Sequence, residues 1–297
     1  MANVTHKRTG ELLRVLFEIL IKKPDGLPAR EAIEQVKSKI QLTEYEKGYF
    51  ESGRQRFEQI IRFATVDCTK AGWLVKEKGT WFVTELGIEA YKKFTDPEQF
   101  HKEAVRLYRI WKRGGAQPDT DTVEIDDGET ENKVIVTFES AEEQAWTEIE
   151  EFIKSKNPYE FQNMVGDLLT AMGYYVAWIS PPGKDGGIDL LAWNDPLGTK
   201  PPRIKVQVKR YSDQKINVDT LRSFIALLGD DDVGIMVSTS GFTKDAEAEA
   251  RTQEKRKITL INMRNFIDLW VKFYDKLSDS ARSKMPLKQI WFLSPDK

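Results

Sequence analysis

Histidine and cysteine are nearly missing from these 297 residues, with two of the first and one of the second. Disulfide frameworks need paired cysteines, and zinc-type or histidine-metal centres need several such ligands at set spacing, so both are excluded. His6 and His101 are far apart in sequence and read as isolated residues. Cys68, on the apolar face of a helical stretch, is expected to be buried and reduced, in keeping with a cytoplasmic location. No apolar run approaches the roughly 20 residues of a membrane span. Arg14 and Glu18 interrupt the most apolar early stretch, ELLRVLFEIL, so neither a signal peptide nor a membrane partner is expected. A Walker-type phosphate loop is lacking too, which leaves ATP-driven translocation unencoded.

Net charge is the last shortage, at −2 overall, and taken whole it argues against a polyanionic partner. Counted by segment the picture changes. Residues 1–115 carry 22 Lys or Arg against 16 acids, residues 116–150 carry one Lys against 12 acids, and residues 151–297 carry 22 bases against 19 acids. One acidic segment therefore separates two mildly basic ones, and basic domains bind phosphates by releasing counterions. The length suits two cored domains, expected at 1–115 and 150–297. Between them 116–149 reads as an acidic linker: QPDTDTVEIDDGETEN has no aromatic residue and no helical periodicity, and VIVTF after it is either a short strand or a docking segment. A second reading makes those acids a DNA mimic that occupies a binding groove until DNA displaces them.

The first domain reads as helices followed by a strand–turn–strand. ELLRVLFEIL and REAIEQVKSKI are helical by spacing, and RQRFEQIIRFATVDCTKAG keeps Phe57, Ile60, Ile61, Ala64 and Cys68 on one face, with Gln55, Gln59 and Arg62 opposite. GWLVKEKGTWFVTELG then gives two strands around a charged, glycine-containing turn, the wing of a winged helix-turn-helix. In that fold the third helix enters the major groove and the wing touches the backbone. Gln reads adenine and Arg reads guanine, so Gln55, Gln59 and Arg62 are the base-contact candidates, with Lys76 and Lys78 on phosphates. The bland alternatives are a wet helix face or a protein-binding winged helix.

The arrangement that looks like chemistry is in the second domain. GIDLLAW and IKVQVKRY read as strands joined by the turn NDPLGTKPP. Side chains alternate along a strand, so Gln207 and Lys209 share a side, and an in-register hairpin brings Asp189 to it. A carboxylate, an amide and an ammonium together suit phosphodiester hydrolysis with Mg²⁺, or Mn²⁺ as a substitute. Asp189, Gln207 and the Val208 carbonyl supply hard oxygen ligands, and Lys209 handles the water or the transition state. The spacing D-x₁₇-Q-x-K alone is a weak signal, since a buried hairpin with surface Gln and Lys would carry it too.

The blocks YEFQNMVGDLLTAMGYYV, GKDGGIDLLAW, VQVKRY, VSTSGFTKDAEAEA and ITLINMRNF, in that order, resemble the Mrr-type restriction endonuclease domain, a branch of the PD-(D/E)xK nucleases. TKAGWL and FVTELG resemble the N-terminal domain of the same proteins. The resemblance implies an α/β fold, a mixed sheet flanked by helices behind a winged helix-turn-helix, and metal-dependent cleavage of double-stranded DNA, with DNA carrying a methylated base among its suggested targets. It carries the motif aspartate onto Asp189, the middle position onto Gln207 and the lysine onto Lys209. Gln207 departs from the acid more usual there, which points to weaker metal binding.

Glu160 has two readings that are compatible: an acidic residue on the first helix completing the metal shell, as the resemblance implies, and the third helical residue of a capping box begun by Asn157 and Pro158. Asp185 reads as a turn residue and Lys184 as a solvated lysine, while Ser240 and Thr243 are expected to cap the helix that follows them. NFIDLWVKFYDKL places Phe266, Leu269, Trp270 and Phe273 on one helix face for packing on the sheet or for a dimer. Cutting two strands with one site per chain requires a homodimer or two successive nicks. Two other functions fit the same residues: a DNA-binding regulator with an inactive nuclease-like domain, and a nuclease selective for branched DNA.

Overall fold

A computed structural model describes residues 4–50, 53–113, 128–183, 186–210 and 214–290, with the backbone alone for 128–135. The chain divides into two compact units, one within residues 1–147 and one formed by 148–290.

The first unit is built on helix α1 (His6–Ile21), whose Thr5 side chain caps the start by accepting from Arg8 N. Leu12, Leu13, Leu16, Phe17 and Leu20 recur at helical spacing and are fully buried. Strand β1 (Leu27–Pro28), α2 (Ala29–Lys39), the single turn α3 (Glu44–Lys47) and α4 (Arg56–Lys70) follow. The chain continues through β2 (Leu74–Glu77), β3 (Thr80–Val83), α5 (Glu85–Lys93) and α6 (Pro97–Lys112). As expected, α4 sends Phe57, Ile61, Ala64 and Cys68 into this core, with Ile60 partly buried beside them. The sheet order is β1-β3-β2, both pairs antiparallel. Lys78 and Gly79 form the β2–β3 turn with φ of 49° and 73°, the primed two-residue turn that matches strand twist. Helices α1 and α6 come so close that a Cβ on Gly10 would be 1.8 Å from the Pro97 carbonyl oxygen.

That approach corrects the reading of the histidines as isolated. His6 and His101 meet Nδ1 to Nδ1 at 3.0 Å, and His101 Nε2 is 3.6 Å from Asp67 Oδ2. Burial first, then the neighbouring His101, lowers the His6 pKa. Among the described residues no three His, Cys, Asp or Glu side chains form a metal-sized group.

From Gly128 on, the acidic segment differs from the expected linker. Helix α7 runs Gly128–Ser155 and takes in VIVTF, so that stretch is not a strand. Helix propensity separates ordinary residues by only ~0.7 kcal/mol, and past Gly128 there is no Gly or Pro to stop the helix. Tertiary contact decides the rest, since Val136 buries against Val66 with Phe63 alongside. Residues 116–127 are outside the described residues.

In the second unit α8 (Pro158–Ala171) starts at a capping box, with Asn157 Oδ1 accepting from Glu160 N and Glu160 Oε2 accepting from Asn157 N. Then come β4 (Tyr175–Ile179), β5 (Leu190–Trp193), β6 (Arg203–Lys209), α9 (Val218–Ile225), β7 (Asp232–Ser238), α10 (Lys244–Thr252), β8 (Lys257–Asn262), α11 (Met263–Lys272) and α12 (Asp279–Lys284). The five strands lie in chain order, β4-β5-β6-β7-β8, with β4, β5 and β6 antiparallel and β6, β7 and β8 parallel. This is the mixed sheet with flanking helices that was expected. Leu221, Phe224, Leu228, Met236, Phe242 and Ala246 form a core with α9 and α10. Phe161 packs edge-on to Phe266, which leans on Trp270, joining α8 to α11. Of the predicted helix face, Phe266 and Trp270 are buried, Leu269 is half-buried, and Phe273 falls just past the helix end. Met285 folds back into the unit and Leu287 N donates to Tyr274 Oη. No described helix is long and apolar enough to cross a membrane.

Candidate active site

The β5–β6 pairing runs in register from Ala192↔Ile204 to Leu190↔Val206 and then changes. Asp189 keeps one backbone bond to β6, its N donating to Val206 O at 2.8 Å, while its side chain takes the next place in the ladder: Oδ2 accepts from Val208 N at 2.6 Å. A carboxylate thus stands where a strand carbonyl would be. In the parallel pairing on the other edge, Thr239 N donates to Lys209 O, so the alternate residues Val206 and Val208 turn their backbone groups toward Asp189. The Val208 carbonyl leaves on the same edge as its N–H, beside that carboxylate.

Gln207 and Lys209 occupy alternate positions of β6 and share a face. Gln207 is buried and its Nε2 donates to Gly187 O at 2.8 Å, which turns its oxygen into the available acceptor. Gly187 has φ +87°, and a Cβ there would be 2.8 Å from Leu227 Cδ1, so the turn that presents this carbonyl requires glycine. Lys209 is half-buried, pairs in register with the fully buried Ser238, and makes no ion pair with a described residue. A buried carboxylate, an amide oxygen and a backbone carbonyl are hard donors of the kind Mg²⁺ accepts, with its remaining positions filled by water.

Other candidates fall differently. Glu160 is exposed and has its capping role, and no hydrogen bond or ion pair joins it to Asp189, Gln207 or Lys209. Thr243 caps α10, but Ser240 does not: its Oγ donates to Gln214 O at 2.6 Å and meets Ser238 Oγ at 3.1 Å. Lys184 and Asp185 are outside the described residues. Sequence reasoning missed Gln162, which is buried and donates from Nε2 to Ser180 O at 2.8 Å, while Ser180 N donates to Asp189 O. A polar residue on the apolar side of α8, directly after Phe161, was the available signal.

In the first unit, the DNA-contact candidates are mostly covered. Gln55 is the residue before α4 and accepts from Lys37 Nζ at 3.1 Å, and the Gln59 amide oxygen is buried with no partner among the described residues. Arg62 does not face solvent. It is 7% exposed, bonded to Glu58 and to Glu143 Oε2 at 2.7 Å, and burial works against the charges of Glu143 and Glu58 that raise its pKa. Lys76 is covered as well: its ammonium meets Glu139 Oε2 at 2.6 Å, and burial lowers its pKa despite that partner. Lys78, at the turn, is 5.5 Å from the centre of the Trp146 ring.

Comparison with known proteins agrees with both units. Residues 153–270 match a family model described as restriction endonuclease, and residues 10–93 match the Mrr N-terminal domain. The chain belongs to the Mrr-type restriction endonuclease family. Asp189, Gln207, Lys209 and Glu160 are inside the first match, and Gln55, Gln59, Arg62, Lys76 and Lys78 inside the second. No curated protein matches the chain. Two solved structures do: MspJI restriction endonuclease in complex with a 27-mer oligonucleotide, at 15% identity and TM-score 0.36 over 61% of this chain and 44% of that one, and the DNA modification-dependent restriction endonuclease AspBHI, at 14% identity and TM-score 0.36 over 71% and 58%. The family member described here therefore spans about half the length of the structures it matches.

Proposed function

We propose that this chain is a restriction-type endodeoxyribonuclease that hydrolyses double-stranded DNA with Mg²⁺, Mn²⁺ being a workable substitute. The observation that carries the reading is the Asp189 carboxylate seated on the Val208 N–H, with Gln207 and Lys209 on the adjoining face of β6. Asp189, Gln207 Oε1 and the Val208 carbonyl would hold the ion, which when bound would acidify a water and neutralise charge on the phosphate. Lys209 orients the attacking water or stabilises charge on the phosphoryl oxygens. Loss of such a donor typically lowers the rate by about 10²–10³-fold. Gln162 and Ser180 hold the backbone of Asp189 in place. Glu160 serves the start of α8, where its contacts are, and any part in the ion's shell would be through water.

The first unit is read as a winged helix with α4 as the recognition helix and β2–β3 as the wing. Gln55, Gln59 and Arg62 contact bases, and Lys76 and Lys78 contact phosphates. A methylated base is the preferred target, as family resemblance suggests, and work in the cytoplasm without ATP, as a homodimer or by two nicks, completes the reading. The test is plasmid nicking with Mg²⁺ or Mn²⁺ by the wild type, Asp189→Ala and Lys209→Ala, on methylated, hydroxymethylated and unmodified DNA. Equal cutting by all three proteins would overturn it. The amide at position 207 favours one second reading, a DNA-binding regulator with an inactive nuclease fold. Wild type that binds duplex but nicks none of these plasmids would select it.

A further inference from the structure

The face of α7 that meets the rest of the first unit is unusual for a packing helix. Val136, Glu139, Glu143 and Trp146 recur at helical spacing, and the two middle positions are acids. Glu139 pairs with Lys76 at 2.6 Å and Glu143 with Arg62 at 2.7 Å. Trp146 is beside Lys78, and a Cβ on Gly79 would be 3.1 Å from the Glu143 Cα, so the helix backbone lies against the hairpin turn. Three of the five residues assigned to DNA contact thus meet α7. The apolar part of the contact is thin, with Val136 and Val66 its buried members and Phe63 partly buried, whereas the main core of the unit joins α1, α2, α4, α5, α6 and the three strands.

We propose that residues 136–147 of α7 are an intramolecular cover over the face between α4 and the β2–β3 hairpin, using carboxylates one helical turn apart in place of DNA phosphates, and that duplex DNA displaces them. The inference rests on the DNA-binding reading above and adds its regulation. Buried ion pairs give little net stability over other packing, because desolvation offsets their attraction, so this contact can be exchanged for another anion. Phosphates offer Arg62 and Lys76 the same charge, with counterion release in addition. The same physics makes the cover sensitive to single changes, since removing one partner leaves a buried charge uncompensated.

The test uses the full chain and a fluorescent 30-base-pair duplex at fixed salt. Glu139→Gln/Glu143→Gln is expected to bind about tenfold tighter than wild type, a difference of about 1.4 kcal/mol. Glu148→Gln/Glu151→Gln, which removes the same charge from exposed positions of the same helix, stays within about twofold of wild type. Equal affinities for the two double variants would overturn the cover. Hydrogen exchange on the wild type keeps the question open to refutation should the first variant misfold: amides of 136–147 exchange faster once duplex is added. Unchanged or slower exchange in a chain that binds DNA refutes the cover and leaves the DNA-binding reading standing. No binding by wild type or either variant overturns both.

Discussion

Asp189 has an observed role in the strand ladder and a proposed one in holding the ion, and two substitutions separate them. Its carboxylate accepts from Val208 N at 2.6 Å in a buried place, and it is the single acid among the proposed ion ligands. Asp189→Asn keeps size and an amide oxygen that can still accept from Val208, so the fold should hold within about 1 kcal/mol. Asp189→Ala leaves the Val208 N–H without its acceptor, a loss of about 1–3 kcal/mol for an unsatisfied buried donor. Each kcal/mol shifts Tm by about 2–4 °C in a chain of this size class, so the Ala variant should melt roughly 2–12 °C lower and the Asn variant close to wild type. Both remove the anionic ligand, and both should nick plasmid at least about 10²-fold more slowly in Mg²⁺. The assay pairs a melting curve with a timed nicking reaction at several Mg²⁺ concentrations. An Asn variant that nicks like wild type at every concentration would refute the assignment of Asp189 to the ion, whatever its Tm.

Gly10→Ala forces a methyl into the Pro97 carbonyl oxygen, 1.8 Å from the ideal Cβ, and overpacking of this kind costs about 1–3 kcal/mol or more. A clear fall in the melting temperature of the first unit is expected, and an unchanged melt would contradict the α1–α6 approach. Asn157→Ala removes one half of the α8 capping box and should lower stability by about 1 kcal/mol in urea unfolding; Glu160→Gln keeps an acceptor for Asn157 N, so both stability and nicking should stay near wild type. Asp232 titrates below the usual carboxylate range: burial opposes this, but the Lys205 and Gly229 hydrogen bonds and the charges of Lys205 and Arg203 outweigh it. A depressed folded-state pKa gives stability that is present above the unfolded pKa, near 4, and is lost as pH falls through the folded value. Asp232→Asn should therefore show a shallower loss of stability below about pH 4 than wild type, measured by urea melts at stepped pH.

Much of this was legible because it rests on local rules. The β5 and β6 strands, the turn between them and the alternation of Gln207 and Lys209 follow from period-two patterning and a Pro, Gly, Asn and Asp cluster. The caps at Asn157 and Thr243 needed only side-chain chemistry and spacing. What escaped was set by distant partners. No local signal brings His6 to His101, since the contact depends on α1 and α6 meeting at Gly10. Helix α7 hid because its stripe uses glutamates where periodicity methods look for apolar residues, and those glutamates are explicable only once Lys76 and Arg62 are seen opposite them. The same pairs explain why Arg62 was placed on an exposed face: charge made it look wet, and the acid that covers it comes 81 residues later.

The amide at position 207 also has a local cause that the sequence did not reveal. Gln207 donates to the carbonyl of Gly187, in a turn whose left-handed glycine cannot be exchanged without strain and contact with Leu227. A carboxylate in the same place would set two acceptors against each other in a buried position, a loss comparable to an unmade buried hydrogen bond, about 1–3 kcal/mol. An acid at 207 therefore suits a chain whose preceding turn offers a donor or solvent, and an amide suits this one. A weaker attraction for a cation would be the consequence of tying the β5 entry turn to β6, and on the proposed reading Asp189 would supply the negative charge. On the proposed reading Gln207 would be a ligand and a brace at once, with its nitrogen holding the turn and its oxygen left to accept from an ion.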